Sequence, residues 1–145
     1  MNEPLINHPD RRFQVWAYTV SHSQLLLWST RSVEPDTNGF STRIEVLFKP
    51  VDAMYLPSTI FQGLVVTLAG PEMSARITRE TGILPGGHAK FFEIESGGRR
   101  GFVVASIVAE DEAEREYNEP SKYGVGATAL DFPGIRSGKT AAGRD

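Results

Sequence analysis

Short runs of aromatic and β-branched residues, separated by turn-forming residues, restrict the fold of this chain most strongly. Strands favour such side chains because they pack well on a pleated, half-buried surface, whereas Gly, Pro, Asn and Asp favour turns. The runs recur at the spacing of roughly 8–12 residues that is typical of sandwiches and barrels. The predicted strands are residues 13–20, 24–30, 42–49, 51–56, 64–68, 91–95 and 102–108, with residues 75–78 as an eighth candidate.

The run at residues 42–49 alternates as a strand with one buried face should. Ile44, Val46 and Phe48 lie on one side, and charged residues predominate on the other. No amphipathic helix of about ten or more residues is predicted among the runs. We therefore expect an all-β fold, an antiparallel sandwich or small barrel of about seven to eight strands.

The composition changes after residue 109. Residues 1–109 hold ten basic and ten acidic side chains, so the whole formal charge of -3 falls in residues 110–145. A neutral body argues against nucleic-acid binding, which needs a clustered basic surface. The predicted domain spans residues 12–109 and follows an N-terminal arm at residues 1–11.

The acidic run beyond the domain contains several helix-favouring residues. It predicts a short helix near residues 110–118, within a segment 110–120 that is otherwise a linker, and the helix should stop before Pro120. Residues 121–145 are small, polar and glycine-rich, with too few apolar side chains to offset the entropy of ordering. We expect them to form a flexible, disordered tail.

Composition also disfavours several locations and chemistries. The chain has no Cys, which excludes disulfides, thiolate metal sites and a Cys nucleophile. Its apolar stretches are far shorter than the ~20 residues of a spanning helix, and residues 1–12 lack the apolar core of a signal peptide. We expect a cytoplasmic protein that binds neither membranes nor nucleic acid.

No motif predicts a cofactor, a metal ion or a catalytic residue. His8, His22 and His88 are too far apart in sequence for a local chelate. Residues 134–140 end like a phosphate-binding loop and residues 124–129 resemble a dinucleotide fingerprint, but both lack the flanking strand and helix that phosphate binding needs. The sequence favours a non-enzymatic function, with an enzyme as the alternative.

Trp16 and Tyr18 are the leading candidates for a binding surface. On a regular strand they share one face, opposite Phe13, Val15 and Ala17, so both faces of that strand are apolar. The second face is then covered by another part of the chain, exposed as a binding surface, or paired with a second copy. We expect a small adaptor, inhibitor or immunity-like protein that binds another protein, or itself, through this face, with Trp28 as a further contact.

Arg99 and Arg100 form a second candidate within a glycine-rich hairpin turn. Guanidinium groups bind phosphate or carboxylate bidentately, but two arginines also suit an exposed hairpin tip.

Two other functions are compatible with the sequence. One is a small-ligand-binding barrel, possibly an enzyme, whose aromatic-lined cavity uses Arg43, Glu45 or His88 as polar anchors. The other is regulation by the acidic C-terminal part, in which residues 110–145 mask the binding surface of the domain.

Overall fold

The computed structural model describes residues 3–29, 42–115 and 119–123. The elements are β1 (Ile6–Thr19), β2 (Gln24–Ser29), β3 (Arg43–Tyr55), β4 (Ile60–Leu68), α1 (Pro71–Thr81), β5 (Lys90–Ser96) and β6 (Arg99–Ala113). Every strand pair is antiparallel, and the sheet closes into a barrel in the order β1-β2-β3-β6-β5-β4. The predicted all-β fold is confirmed, and its architecture is the barrel.

The barrel interior is filled by side chains from all six strands. Alternate residues of each strand point inward, as the pleat requires. Phe48 and Phe92 meet edge to face with ring centroids 5.8 Å apart. The buried interior residues are Ile6, Phe13, Leu25, Leu27, Ile44, Val46, Phe48, Val51, Phe61, Leu64, Val66, Phe92, Ile94, Val103 and Ala105.

Two of the predicted strands are one strand in the structure. β3 continues through Pro50, and its register with β6 runs from Lys49 opposite Ile107 to Val51 opposite Ala105. The register then shifts between Val51 and Ala53. Pro50 therefore does not end β3 as the sequence suggested, because β3 pairs with β6 on both sides of it.

The helix α1 was not predicted, and the strand proposed at residues 75–78 is wrong because those residues lie in α1. Pro71 occupies its first turn, and Gly82 ends it in the left-handed conformation at φ 78°. Only Met73 and Ile77 are buried on its inner face. This narrow stripe packs over the outer side of β5 and β6 against Phe91, Phe102 and Val104. The described residues contain no helix long and apolar enough to cross a membrane.

The predicted helix near residues 110–118 is also corrected. β6 extends to Ala113, and residues 110–113 pair with residues 43–46 of β3. Cross-strand pairing therefore overrides the helix propensity of this acidic run. Residues 116–118 of the predicted helix, and residues 124–145 of the predicted tail, lie outside the described residues.

The predicted N-terminal arm belongs largely to the barrel. β1 begins at Ile6 and pairs with β4 on both sides of a register shift between His8 and Arg12. Opposite this bend, Gly63 has φ +85°, and a Cβ there would lie 2.5 Å from the carbonyl oxygen of Pro9. Glycine is required at this position for two reasons: the positive φ and the close approach of β1.

Polar contacts join the N-terminal half of β1 to other parts of the barrel. Arg11 is only 4% exposed and donates to Ser29 Oγ at 3.0 Å and to the Thr42 carbonyl at 2.7 Å. His8 Nε2 lies 2.7 Å from Glu110 Oε2. These contacts join β1 to β2, to Thr42 directly before β3, and to β6, so they anchor the N-terminal half of β1.

Candidate functional site

A bulge in β1 separates the two aromatic residues that the sequence placed on one face. Val15 is opposite Leu27 and Ala17 is opposite Leu26, which leaves Trp16 as the extra residue. Trp16 and Ala17 consequently both lie on the outer side, whereas Tyr18 packs against the barrel interior. The prediction that Trp16 and Tyr18 share a face is therefore wrong, because an inserted residue reverses the alternation beyond it.

The outer side of β1, β2 and β3 carries a compact apolar cluster. We call this surface the aromatic face; its residues are Trp16, Ala17, Leu26, Trp28 and Leu47, together with the charged Arg43 and Glu45. Trp16 and Trp28 stack with ring centroids 3.9 Å apart and an angle of 6° between their planes. The guanidinium carbon of Arg43 lies 3.8 Å from the centroid of Trp28 on this face. An arginine and two tryptophans thus form a continuous stack across three strands.

Arg43 and Glu45 form a buried ion pair on the outer side of β3. They are two residues apart and therefore project from the same face of the strand. Their side chains are 1% and 0% exposed, and Arg43 Nη2 lies 3.0 Å from Glu45 Oε2. Burial lowers the pKa of the Arg43 guanidinium, and the adjacent Glu45 charge opposes this shift. Both residues had been considered as anchors inside a barrel cavity, but the structure places them outside the barrel.

Residues 119–123 of the same chain lie across this ion pair. Arg43 donates to the carbonyl oxygens of two consecutive residues, Glu119 at 2.9 Å and Pro120 at 2.8 Å. Glu45 accepts the hydroxyl of Ser121 and the backbone N–H of Lys122, the latter at 3.2 Å. Three of these four contacts involve the main chain, so the pair binds the backbone of the segment.

Side chains at the end of the segment add to the contact. Tyr123 packs against the apolar cluster of the aromatic face. Lys122 Nζ lies 3.3 Å from Asp111 Oδ1, and Arg115 holds the other carboxylate oxygen of Asp111 at 3.1 Å. Burial raises the pKa of the Tyr123 phenol, and the charges of Asp111 and Glu45 raise it further. The segment is therefore held at its main chain, at a hydroxyl, at a cation and at an aromatic ring.

Sequence reasoning missed the site residues Ser121, Lys122 and Tyr123, which it assigned to the disordered tail. These residues lie against the barrel, and Ser121 is only 8% exposed. The signal available was the chemistry of residues 121–123, a hydroxyl followed by a cation and an aromatic residue. Nothing local in the sequence indicates that a buried Glu45 lies opposite them.

Arg99 and Arg100 lie in different clefts on either side of the β5–β6 hairpin. Arg100 lines a surface cleft of about 530 Å³ beside the first turn of α1, and its Nη1 lies 3.5 Å from Glu93 Oε2. Arg99 lines a cleft of about 270 Å³ between this hairpin and the β3–β4 connection. Successive residues of a strand point to opposite sides, so these two guanidinium groups do not converge on one ligand.

The remaining polar candidates are also apart. His88 is exposed in the loop before β5, and Ser21 contacts His22 at 3.0 Å in an exposed turn. Among residues 3–29, 42–115 and 119–123, no three metal-ligating side chains cluster together.

Comparison with family models, curated proteins and solved structures finds no match to this chain.

Proposed function

We propose that the protein is a non-enzymatic interaction domain that binds a short segment of another protein on its aromatic face. The observation that carries the proposal is the set of contacts from Arg43 and Glu45 to the main chain of residues 119–122. Main-chain recognition combined with side-chain pockets is how many domains bind peptides. We interpret residues 119–123 as an internal ligand that occupies the site.

The energetics of the ion pair support this interpretation. Burying two charges costs several kcal/mol per ion, and a buried pair is often no more stabilising than apolar residues of the same volume. Arg43 and Glu45 are both almost fully buried, and many of their hydrogen bonds are made to residues 119–121 rather than to the barrel. Apolar side chains would pack β3 equally well but would not bind a peptide backbone. Binding therefore explains why charged residues occupy these positions.

An internal ligand regulates its site by competition. A segment joined to the domain by a short linker competes at an effective concentration on the order of mM. A partner segment must compete with residues 119–123 for the site. Its apparent affinity is its intrinsic affinity multiplied by the fraction of molecules whose site is vacant. The proposal thus unites binding through the aromatic face with masking of that face by the acidic C-terminal part.

The experiment compares two variants of the full chain. In the open variant, Ser121→Glu places a carboxylate against buried Glu45, and Tyr123→Ala removes the ring from the aromatic face. The closed variant carries Ser121→Thr and Tyr123→Phe, which keep the hydroxyl and the ring. The probe is a capped synthetic peptide with the sequence of residues 119–123, and the readout is tryptophan fluorescence. The chain has two tryptophans, and both lie in the site.

We expect the open variant to bind the peptide at least about tenfold more tightly than the wild type or the closed variant. Adding Arg43→Met to the open variant should abolish binding. Circular dichroism on each variant establishes that the barrel is intact. Saturable binding that is equal in all variants, or no binding to an intact open variant, would contradict the proposal. Peptide-independent dimerisation of the open variant would identify a second copy as the occupant instead.

A further inference from the structure

We infer that the aromatic face selects segments in which a hydroxyl residue is followed directly by a basic residue and then by an aromatic residue. This inference rests on the proposed function and specifies the partner. It is drawn from what the site contributes at each position of residues 121–123, and we use the numbers 121, 122 and 123 for the corresponding positions of a ligand.

The hydroxyl position is set by Glu45. Its carboxylate is completely buried and can only accept hydrogen bonds while it is ionised, so a ligand must supply donors to it. Ser121 supplies one from its side chain and Lys122 supplies one from its backbone. An apolar residue at position 121 would leave part of a buried charge without a donor, which is costly. Proline at position 122 would remove the second donor.

The basic position is set by Asp111. Its carboxylate is 17% exposed and lies between the guanidinium of Arg115 and the ammonium of Lys122. Glu45 and Asp111 are directly opposite each other in the β3–β6 register, so two carboxylates lie on this side of the site. An acidic residue at position 122 would meet like charge here. A basic residue is therefore favoured by complementarity.

The aromatic position is set by the apolar cluster. Tyr123 packs against the cluster that contains Trp28 and Leu47, and its backbone N–H donates to Ser121 Oγ at 3.0 Å. This local bond turns the segment so that positions 121 and 123 both face the sheet. An aromatic ring gives a large buried area at a small conformational cost, which is why such residues anchor interfaces.

Arg43 binds the two positions before the hydroxyl through their carbonyl oxygens, which every residue possesses. The negative charge of Glu119 also interacts favourably with the Arg43 guanidinium. Proline at position 120 is compatible with the site because its missing N–H is not used in these contacts. The selectivity that we infer concerns the three residues that follow.

The test measures binding of single-residue peptide variants to the open variant by tryptophan fluorescence. Relative to the parent peptide, Ser121→Ala should weaken binding by about tenfold, and Ser121→Thr should weaken it little. Lys122→Glu should weaken binding by about tenfold, Lys122→Arg should not, and an N-methyl group at position 122 should abolish binding. Tyr123→Ala should weaken binding by at least about tenfold, and Tyr123→Phe should bind nearly as well as the parent.

A charge exchange makes the test specific to Asp111. In the open variant with Asp111→Lys, the preference at position 122 should reverse, so that the Lys122→Glu peptide binds more tightly than the parent. Asp111→Asn removes the negative charge without adding a positive one, and it should abolish the preference between lysine and glutamate at position 122. If the parent peptide binds but all variants bind equally, the selectivity inference is wrong while the proposed function stands. If the parent does not bind to an intact open variant, the proposed function itself is wrong.

Discussion

Trp16 lies flat against Trp28 on the outer side of the barrel, where the alternation that begins with the inward-facing Phe13 and Val15 places it, and the two ring centroids are 3.9 Å apart. The bulge between Val15 and Ala17 reverses the alternation beyond Trp16. The same bulge turns Tyr18 inward. Two aromatic residues of one strand thus serve different parts of the molecule, and this separation can be tested.

Trp16→Ala should affect the aromatic face and Tyr18→Ala the barrel. We expect Trp16→Ala to accelerate tryptic cleavage after Arg115 and Lys122, because the segment loses part of the surface on which it lies. Tyr18→Ala should lower the free energy of unfolding by about 2–4 kcal/mol through a cavity at the interior. Limited proteolysis and urea denaturation measure the two effects. Equal acceleration of this cleavage in the two variants would contradict the assignment of Trp16 to the aromatic face and of Tyr18 to the interior.

Removing one partner of the Arg43–Glu45 pair should cost more than removing both. Arg43→Met leaves Glu45 buried beside Arg115, whose Nε is 3.9 Å from Glu45 Oε2, and should destabilise the protein by about 3–5 kcal/mol. The double variant Arg43→Met with Glu45→Leu should recover most of this loss but should not retain the segment. Urea denaturation gives the stabilities, and proteolysis reports the segment. An exposed control, Arg99→Ala, should change stability by less than about 0.5 kcal/mol.

Local pattern was sufficient to predict the β-rich body. The alternation at Ile44, Val46 and Phe48 correctly identified the interior side of β3, and the glycine turn correctly identified the β5–β6 hairpin. Each element that was missed depends on tertiary contacts. Residues 110–113 are strand because β3 pairs with them, and α1 is held by only two buried side chains.

The candidate site was predictable only in part. The structure brings Trp16 and Trp28, which the sequence named as candidates, together in one stack, but a single sequence contains no signal for a bulge at Trp16. Arg43 and Glu45 were considered as polar anchors of an interior cavity, but the structure places both side chains on the outer side of the barrel, where they bind residues 119–122. The position of Ser121 depends on a contact between residues 76 apart in sequence, which local pattern cannot indicate.

Gly63 should be far less replaceable than Gly98. Both have positive φ, at +85° and +81°, but a Cβ on Gly63 would collide with the Pro9 carbonyl while a Cβ on Gly98 meets open space. Gly98→Ala should therefore cost about 1 kcal/mol from backbone strain alone. Gly63→Ala should cost at least about 2 kcal/mol more, because β1 must move away from β4. Thermal unfolding of the two variants measures the difference, and equal melting temperatures would contradict the close approach.

Docking of the segment should weaken in alkaline solution. The pKa of Tyr123 is raised above its ordinary value of 10.0 when the segment is docked, chiefly by burial. A group with a raised pKa stabilises the docked state fully below its ordinary pKa, and this contribution is lost as the pH rises above about 10. Proteolytic or fluorescence measurements should show increasing release in this range. Tyr123→Phe should remove this component of the pH dependence, and an unchanged profile would contradict the role given to the phenol.

The most direct test of the account follows the two indole N–H signals in the NMR spectrum of the full chain. Trp16 and Trp28 are its two tryptophans, and the Trp28 side chain is 2% exposed beneath the segment. In the open variant the Trp28 signal should shift and its hydrogen exchange should accelerate. Saturation with the peptide of residues 119–123 should return both signals towards their wild-type positions and slow the exchange again. Indole signals that are the same in the wild type and the open variant, or that do not respond to the peptide, would contradict the claim that residues 119–123 occupy a binding site.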